Sequence, residues 1–191
     1  MKVSFMGRRL QIAVLGSSKE ICTKNAYELA EKVGEEIAKL GAITVTGGGH
    51  GVMEAAMKGA KKHGGLTLGI LPWEKMEHYN KYCDVIVATG IGWSRDAINL
   101  NSCDGAIIVG GGAGTLNEAT YAYIEDIPLV ALTSSGGMAK QFTGIYFDSR
   151  RTEKVIGAKT PEEAVLKLLD EIEKKKINSK RPGLRKRKQD Y

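Results

Sequence analysis

Short apolar runs separated by stretches of helical periodicity constrain this chain more than any other feature. QIAVLG at residues 11–16, AITVTGGG at 42–49, LTLGILP at 66–72, DVIVATG at 84–90, GAIIVGGG at 105–112 and PLVAL at 128–132 each read as one strand. Their apolar residues run on instead of alternating with polar ones, the pattern of a strand covered on both faces in a parallel sheet. Between them lie helical segments. The segment at 23–40 carries Ala26, Leu29, Ala30, Val33, Ile37 and Leu40 at i, i+3, i+4 spacing and stops at Gly41. Further helices are expected over 52–63, from Arg95, from about Leu116 and over 161–175. Strand and helix in alternation predict the α/β class: a Rossmann-like open, mostly parallel sheet with helices on both faces.

With 191 residues, 42% hydrophobic and 26% charged, the chain is ordinary globular material for one nucleotide-binding domain, expected over residues 1–175. The net charge of +6 invites a nucleic-acid reading, but nine of the 28 Lys/Arg lie from Lys174 onward with one acid. That leaves nineteen bases against twenty-one acids in the body. The basicity belongs to residues 176–191, expected to form a disordered, solubilising tail; nucleic-acid contact is expected, if anywhere, only there. No apolar run approaches the roughly 18 residues of a membrane span, so a cytoplasmic protein without membrane contact is expected. Cys22, Cys83 and Cys103 are scattered and odd in number, which fits reduced, buried thiols.

In an open parallel sheet, ligands sit beyond the carboxyl ends of the strands, near the point where strand order reverses. Three loops there carry phosphate-friendly chemistry: GSSK at 16–19, TGGGHG at 46–51 and GGGAGT at 110–115. Glycines let the backbone approach an anion, and the free N–H groups of a following helix attract it. The candidate phosphate- and nucleotide-binding residues are therefore Gly16, Ser17, Gly48, Gly49, Gly111, Gly112, Gly114 and Thr115. Neither GxGxxG nor GxxxxGK[ST] occurs, so no dinucleotide and no other cofactor is expected. His50, His63 and His78 lack a metal-ligand spacing, and no metal is expected.

Two charged residues stand beside these loops. Glu118 follows Thr115 by three positions, and the plainest reading of TLNE is a capping box. Arg95 follows Ser94, a plausible N-cap, and so occupies a first helical turn, where the helix dipole disfavours a cation. Asp96, Glu118 or a bound phosphate are the candidates to compensate it.

TGGGHGVMEAAMKGA, followed by GWSRDAINLNSCDGAIIVGGGAGTLNEA, resembles the Lonely Guy family of nucleotide phosphoribohydrolases. The hallmarks of that family are an Arg-Lys pair opening one helix and a PGGxGTxxE loop-helix motif. The resemblance covers residues 11–175 and implies that Arg95 and Glu118 are catalytic and that Gly111, Gly112, Gly114 and Thr115 bind phosphate. It implies cleavage of a nucleoside 5′-monophosphate to free base and ribose 5-phosphate. Asp96 stands where the family has lysine, and Gly110 where it has proline. These departures, with SCD before the strand, look more like a subgroup that includes molybdenum-cofactor carrier proteins, which hold a pterin phosphate without hydrolysing it. A carrier of a nucleotide or pterin is thus the alternative. The lysine decarboxylase label common in the family is discounted, because no lysine stands out as a cofactor ligand.

The resemblance also implies a homodimer built on helices beside the cleft. Ala119, Ala122, Tyr121 and Tyr123, with Ala97, Ile98 and Leu100, supply apolar and aromatic surface for it. Trp73, Tyr79, Tyr82 and Trp93 fall in or beside the loops that flank the cleft, where an aromatic ring can stack on a base.

Overall fold

In the computed structural model, which describes residues 4–5, 7–149 and 154–180, a small antiparallel hairpin of β1 (Ser4–Phe5) and β2 (Arg8–Arg9) leads into a seven-stranded sheet. The sheet strands are β3 (Gln11–Gly16), β4 (Ile43–Thr46), β5 (Leu66–Leu71), β6 (Val85–Ala88), β7 (Gly105–Val109), β8 (Leu129–Leu132) and β9 (Ile156–Ala158). Every neighbouring pair is parallel, in the order β6-β5-β4-β3-β7-β8-β9. The chain lays β4 to β6 on one side of β3, then crosses over and builds β7 to β9 on the other. The reversal lies between β3 and β7, whose register pairs Gly16 with Val109.

Within each strand the pleat sends alternate residues to opposite faces, and both faces are covered. Ile12, Val14, Ile107 and Val109 face a layer made by α1 (Lys24–Lys39), α2 (Val52–Lys62) and α6 (Pro161–Lys180). Ala13, Leu15, Ala106 and Ile108 face α3 (Arg95–Asn101), α4 (Ala113–Ile124) and α5 (Gly137–Phe142). Thr23 caps α1 by accepting the Ala26 N–H at 3.1 Å. Where α1 crosses α2, a Cβ on Gly34 would lie 1.8 Å from the Ala56 carbonyl oxygen, and one on Gly59 would lie 1.8 Å from that of Glu31. Only glycine permits this approach. It accepts roughly 1 kcal/mol of lost helix propensity at each position in exchange for close packing.

Several boundaries differ from expectation. α4 begins at Ala113 with Gly112 as its N-cap, three residues before Leu116. A 3₁₀ turn over Gly92–Ser94 precedes α3, and α5, β9 and the β1–β2 hairpin were not expected from the sequence pattern. β6 is an edge strand and exposes Val85 and Val87, so the both-faces-buried reading fails there. α6 continues to Lys180 through the first residues expected in the tail; positions 181–191 of that tail lie outside the described residues. Of the residues expected to supply a dimer surface, Ala119, Ala122, Tyr123 and Leu100 are buried within the chain, against the sheet, leaving Ile98 exposed and Ala97 and Tyr121 half-buried.

Candidate functional site

The loops that leave β3, β4 and β7 meet at the carboxyl ends of the central strands, and side chains from other loops pin the second and third. The Ser17 hydroxyl accepts the Gly111 N–H at 2.8 Å, and the Ser135 hydroxyl accepts the Gly110 N–H at 2.8 Å. Asn80 donates its Nδ2 to the carbonyls of Gly48 (3.0 Å) and Gly49 (2.9 Å), while Thr46 Oγ1 accepts the Gly48 N–H at 3.0 Å. These bonds remove Gly110, Gly111 and Gly48 N–H groups from the supply available to a ligand. Donors that remain include those in the first turn of α4. The N–H groups of Ala113, Gly114 and Thr115 precede the first intrahelical bond, from Leu116 to the Gly112 carbonyl.

Next to this turn, α3 and α4 bury a cluster of charge. Arg95 Nη1 bonds to Asp96 Oδ1 and makes a long 3.4 Å contact with Glu118 Oε1. Asn99 Nδ2 approaches the same Glu118 oxygen at 3.5 Å, and Asn117 Nδ2 donates to Asp96 Oδ2 at 3.0 Å. Gly47 makes room for the guanidinium: a Cβ there would stand 2.4 Å from Arg95 Nη2. Arg95, Asp96, Asn99 and Glu118 are all buried. Burial, reinforced by the neighbouring Asp96 carboxylate, raises the Glu118 carboxyl from its ordinary 4.5 to about 7; Arg95 and Asn99 oppose the rise. Glu118 therefore titrates near neutrality. No capping box forms, because Thr115 lies inside α4 and its side chain does not cap the helix. Ser94 likewise makes no capping bond, being in helical conformation at the end of the 3₁₀ turn. Asp96 and Glu118 together compensate Arg95.

These groups border one cavity of about 430 Å³, within the range that holds small ligands. Of the residues expected at the site, Gly16, Gly49, Gly112, Gly114, Thr115, Arg95 and Glu118 line it. Ser17, Gly48 and Gly111 stand behind the lining as supports. Gly16 is required by packing, since a Cβ would lie 2.2 Å from the Val109 carbonyl oxygen. Thr115 is buried, and its hydroxyl has no hydrogen-bond partner among the described residues. Trp73, Trp93, His50 and His78 also line the cavity, whereas Tyr79, Tyr82 and His63 do not. The Trp93 indole is 76% exposed and reaches to 4.0 Å from where a Cβ of Gly114 would stand. Asn80, Asn99, Ser135 and Gly47 were missed from the sequence. Single Asn, Ser or Gly residues carry no spacing signal, and their roles depend on loops that only the fold brings together.

Among the described residues, no group of three or more His, Cys, Asp or Glu could hold a metal ion, and no helix is long and apolar enough to cross a membrane. The three cysteines are free. Burial raises the thiol pKa of each, Cys83 to about 11, which makes them poor nucleophiles.

Comparison with known proteins gives a consistent picture. The sequence model of LDcluster4, the SLOG cluster4 family, matches residues 9–165. An uncharacterized protein of Archaeoglobus fulgidus is 43% identical over 116 residues, 61% of this chain and 75% of its own length. The cytokinin riboside 5′-monophosphate phosphoribohydrolase of Mycobacterium tuberculosis is 37% identical over 103 residues, 51% of this chain and 54% of its own. The match thus spans about half of that enzyme. Among solved structures, the Moco carrier protein of Chlamydomonas reinhardtii superposes with a TM-score of 0.76 at 34% identity, covering 87% of this chain and 99% of the carrier.

Proposed function

Because the chain belongs to the SLOG cluster4 family, we propose that it binds a nucleoside 5′-monophosphate and hydrolyses its N-glycosidic bond to free base and ribose 5-phosphate. The observation that carries this reading is the buried Glu118–Arg95 contact in the wall of a cavity that also takes in the first turn of α4. In this reading the N–H groups and the Thr115 hydroxyl hold the phosphate, which fixes the sugar against Glu118. The C1′–N bond breaks with its electron pair going to the base, which takes up a proton, and water supplies the oxygen that bonds to C1′. The ionised Glu118 stabilises the positive charge growing on the sugar or takes the proton of the attacking water. Arg95 favours that ionised form. The 37% identity to a phosphoribohydrolase supports the reading over the matched half.

A panel of purine and pyrimidine nucleoside 5′-monophosphates, assayed for free base by chromatography, tests it. Release by the native protein is expected to fall by roughly 10²- to 10⁴-fold in Glu118→Gln. No release above that variant refutes the hydrolase.

Asp96 favours a second reading, a carrier that holds a phosphorylated nucleotide or pterin intact. Its carboxylate takes the Arg95 Nη1 bond and crowds Glu118, and a Moco carrier matches over nearly its whole length. An intact heterocyclic phosphate found by mass spectrometry of the purified protein, with no turnover of added nucleotide, selects this reading.

We also propose self-association. Ile98, Leu116 and Ile124 are exposed on α3 and α4, apolar surface suited to a second copy. Light scattering that finds only a 20.6 kDa species at micromolar concentration refutes it.

A further inference from the structure

The charges around the cavity single out a residue that no comparison assigns. Among the described residues, two Lys/Arg residues line it, Lys19 and Arg95, together with Glu20, Asp96 and Glu118. Arg95 is partly engaged: Nη1 serves both Asp96 and Glu118, and Nε is sealed from solvent without a partner among the described residues. The Ser18 hydroxyl and, more weakly, the Lys19 charge hold the Glu20 carboxyl below its ordinary value. Lys19 is exposed, and its ammonium makes no hydrogen bond or ion pair with any described residue.

Its backbone is held firmly even though its ammonium is not hydrogen-bonded. Two residues before it, Ser17 bonds Gly111 through its hydroxyl and accepts the Val52 N–H on its carbonyl at 3.0 Å. Gly51, with φ of 78°, packs so closely that a Cβ would stand 2.9 Å from Lys19 N. Lys19 is thereby stationed where the N-termini of α2 and α4 come together. Both helix ends carry partial positive charge, so a cation there is unfavourable unless an anion joins it. The buried, unpartnered Thr115 hydroxyl in the same cavity wall independently marks a polar group waiting for a ligand.

We propose that Lys19 is the residue that neutralises the phosphate of the bound ligand, contacting it from the β3 side while the first turn of α4 donates from the other. This rests on the reading that the cavity takes a phosphorylated ligand, and it holds equally for a hydrolase and a carrier. A lysine suits the task because its ammonium is a compact point charge on a flexible stem, able to follow a phosphate that enters and leaves.

Calorimetric titration of AMP and of adenosine tests the assignment, in a Glu118→Gln background that keeps the ligand intact and at low and high salt. The Lys19→Ala change is expected to weaken AMP binding by roughly ten- to a hundredfold. It should shrink the AMP-over-adenosine preference by the same factor and flatten the salt dependence. Lys19→Arg should retain most of that preference. If Lys19→Ala keeps the full preference, the assignment of Lys19 is wrong while the phosphate site stands. If the parent protein binds AMP no better than adenosine, the phosphate reading falls and takes Lys19 with it.

Discussion

The two faces of the sheet are built by different rules. On one side, α1, α2 and α6 meet Ile12, Val14, Ile107 and Val109 through Ala30, Val33, Ile37 and Leu168, all at or near zero exposure. The other side is thinner, with Ala13, Ala106 and Ala131 facing Ala119, Ala122 and Ala139. Beside that alanine layer the protein buries Arg95, Asp96, Asn99 and Glu118. Sealing charges from water costs free energy that their mutual contacts offset only with good geometry, and the Glu118 contacts are long. A chain able to build a layer without buried charge on one face has no packing reason to bury a carboxylate pair on the other. The first face stores stability, and the second spends some of it on a site poised for a ligand.

That contrast can be broken most directly in the apolar layer. Gly59→Leu forces a side chain into the space occupied by the Glu31 carbonyl and is expected to destabilise the fold by about 3 kcal/mol or more. Chemical denaturation measures it, and an unchanged midpoint would show that the α1–α2 contact is not where stability resides. The charged layer should behave in the opposite way. Glu118 has a folded-state pKa of about 7 against an ordinary 4.5, so the folded state binds more protons across that window. The contribution of Glu118 to stability is then greatest below about pH 4.5 and is lost as pH rises through about 7, by up to roughly 3 kcal/mol. In Glu118→Gln this contribution to the pH dependence should vanish, and the variant should be the more stable protein at pH 8. The smallest effect sharpens the contrast within the site. Asp96→Asn removes the carboxylate that helps hold the Glu118 pKa up, so the pH window of stability loss should narrow from its upper end. Denaturation midpoints across pH for the three proteins decide both points; a Glu118→Gln curve that overlays the native one rules out Glu118 as their source.

The strands at 11–16, 66–71 and 105–109 and the helix at 24–39 were legible because each is long enough, and uniform enough in period, to declare itself. β9 has three residues, Ile156–Ala158, and α5 starts within the pair Gly136 and Gly137, both at positive φ. Neither offers a period to read. The start of α4 was misplaced because Ala113, Gly114 and Thr115 look like loop, yet Gly112 needs no side chain to cap the helix. Arg95 and Glu118 were singled out from local rules, but their contact joins residues 23 apart.

Local periodicity and backbone freedom dictate the α/β alternation, the glycine-rich turns after the strands and the residue types near the site, so all three can be read along the chain. Tertiary structure alone decided which glycine N–H groups stay open. Ser17 reaches Gly111 across 94 positions only because β3 and β7 pair in the register that sets Gly16 beside Val109. Strand order and register are chosen by the burial of whole layers at once. No local stretch carries that choice, so the division between supporting glycines and ligand-facing ones appears only when the sheet is assembled.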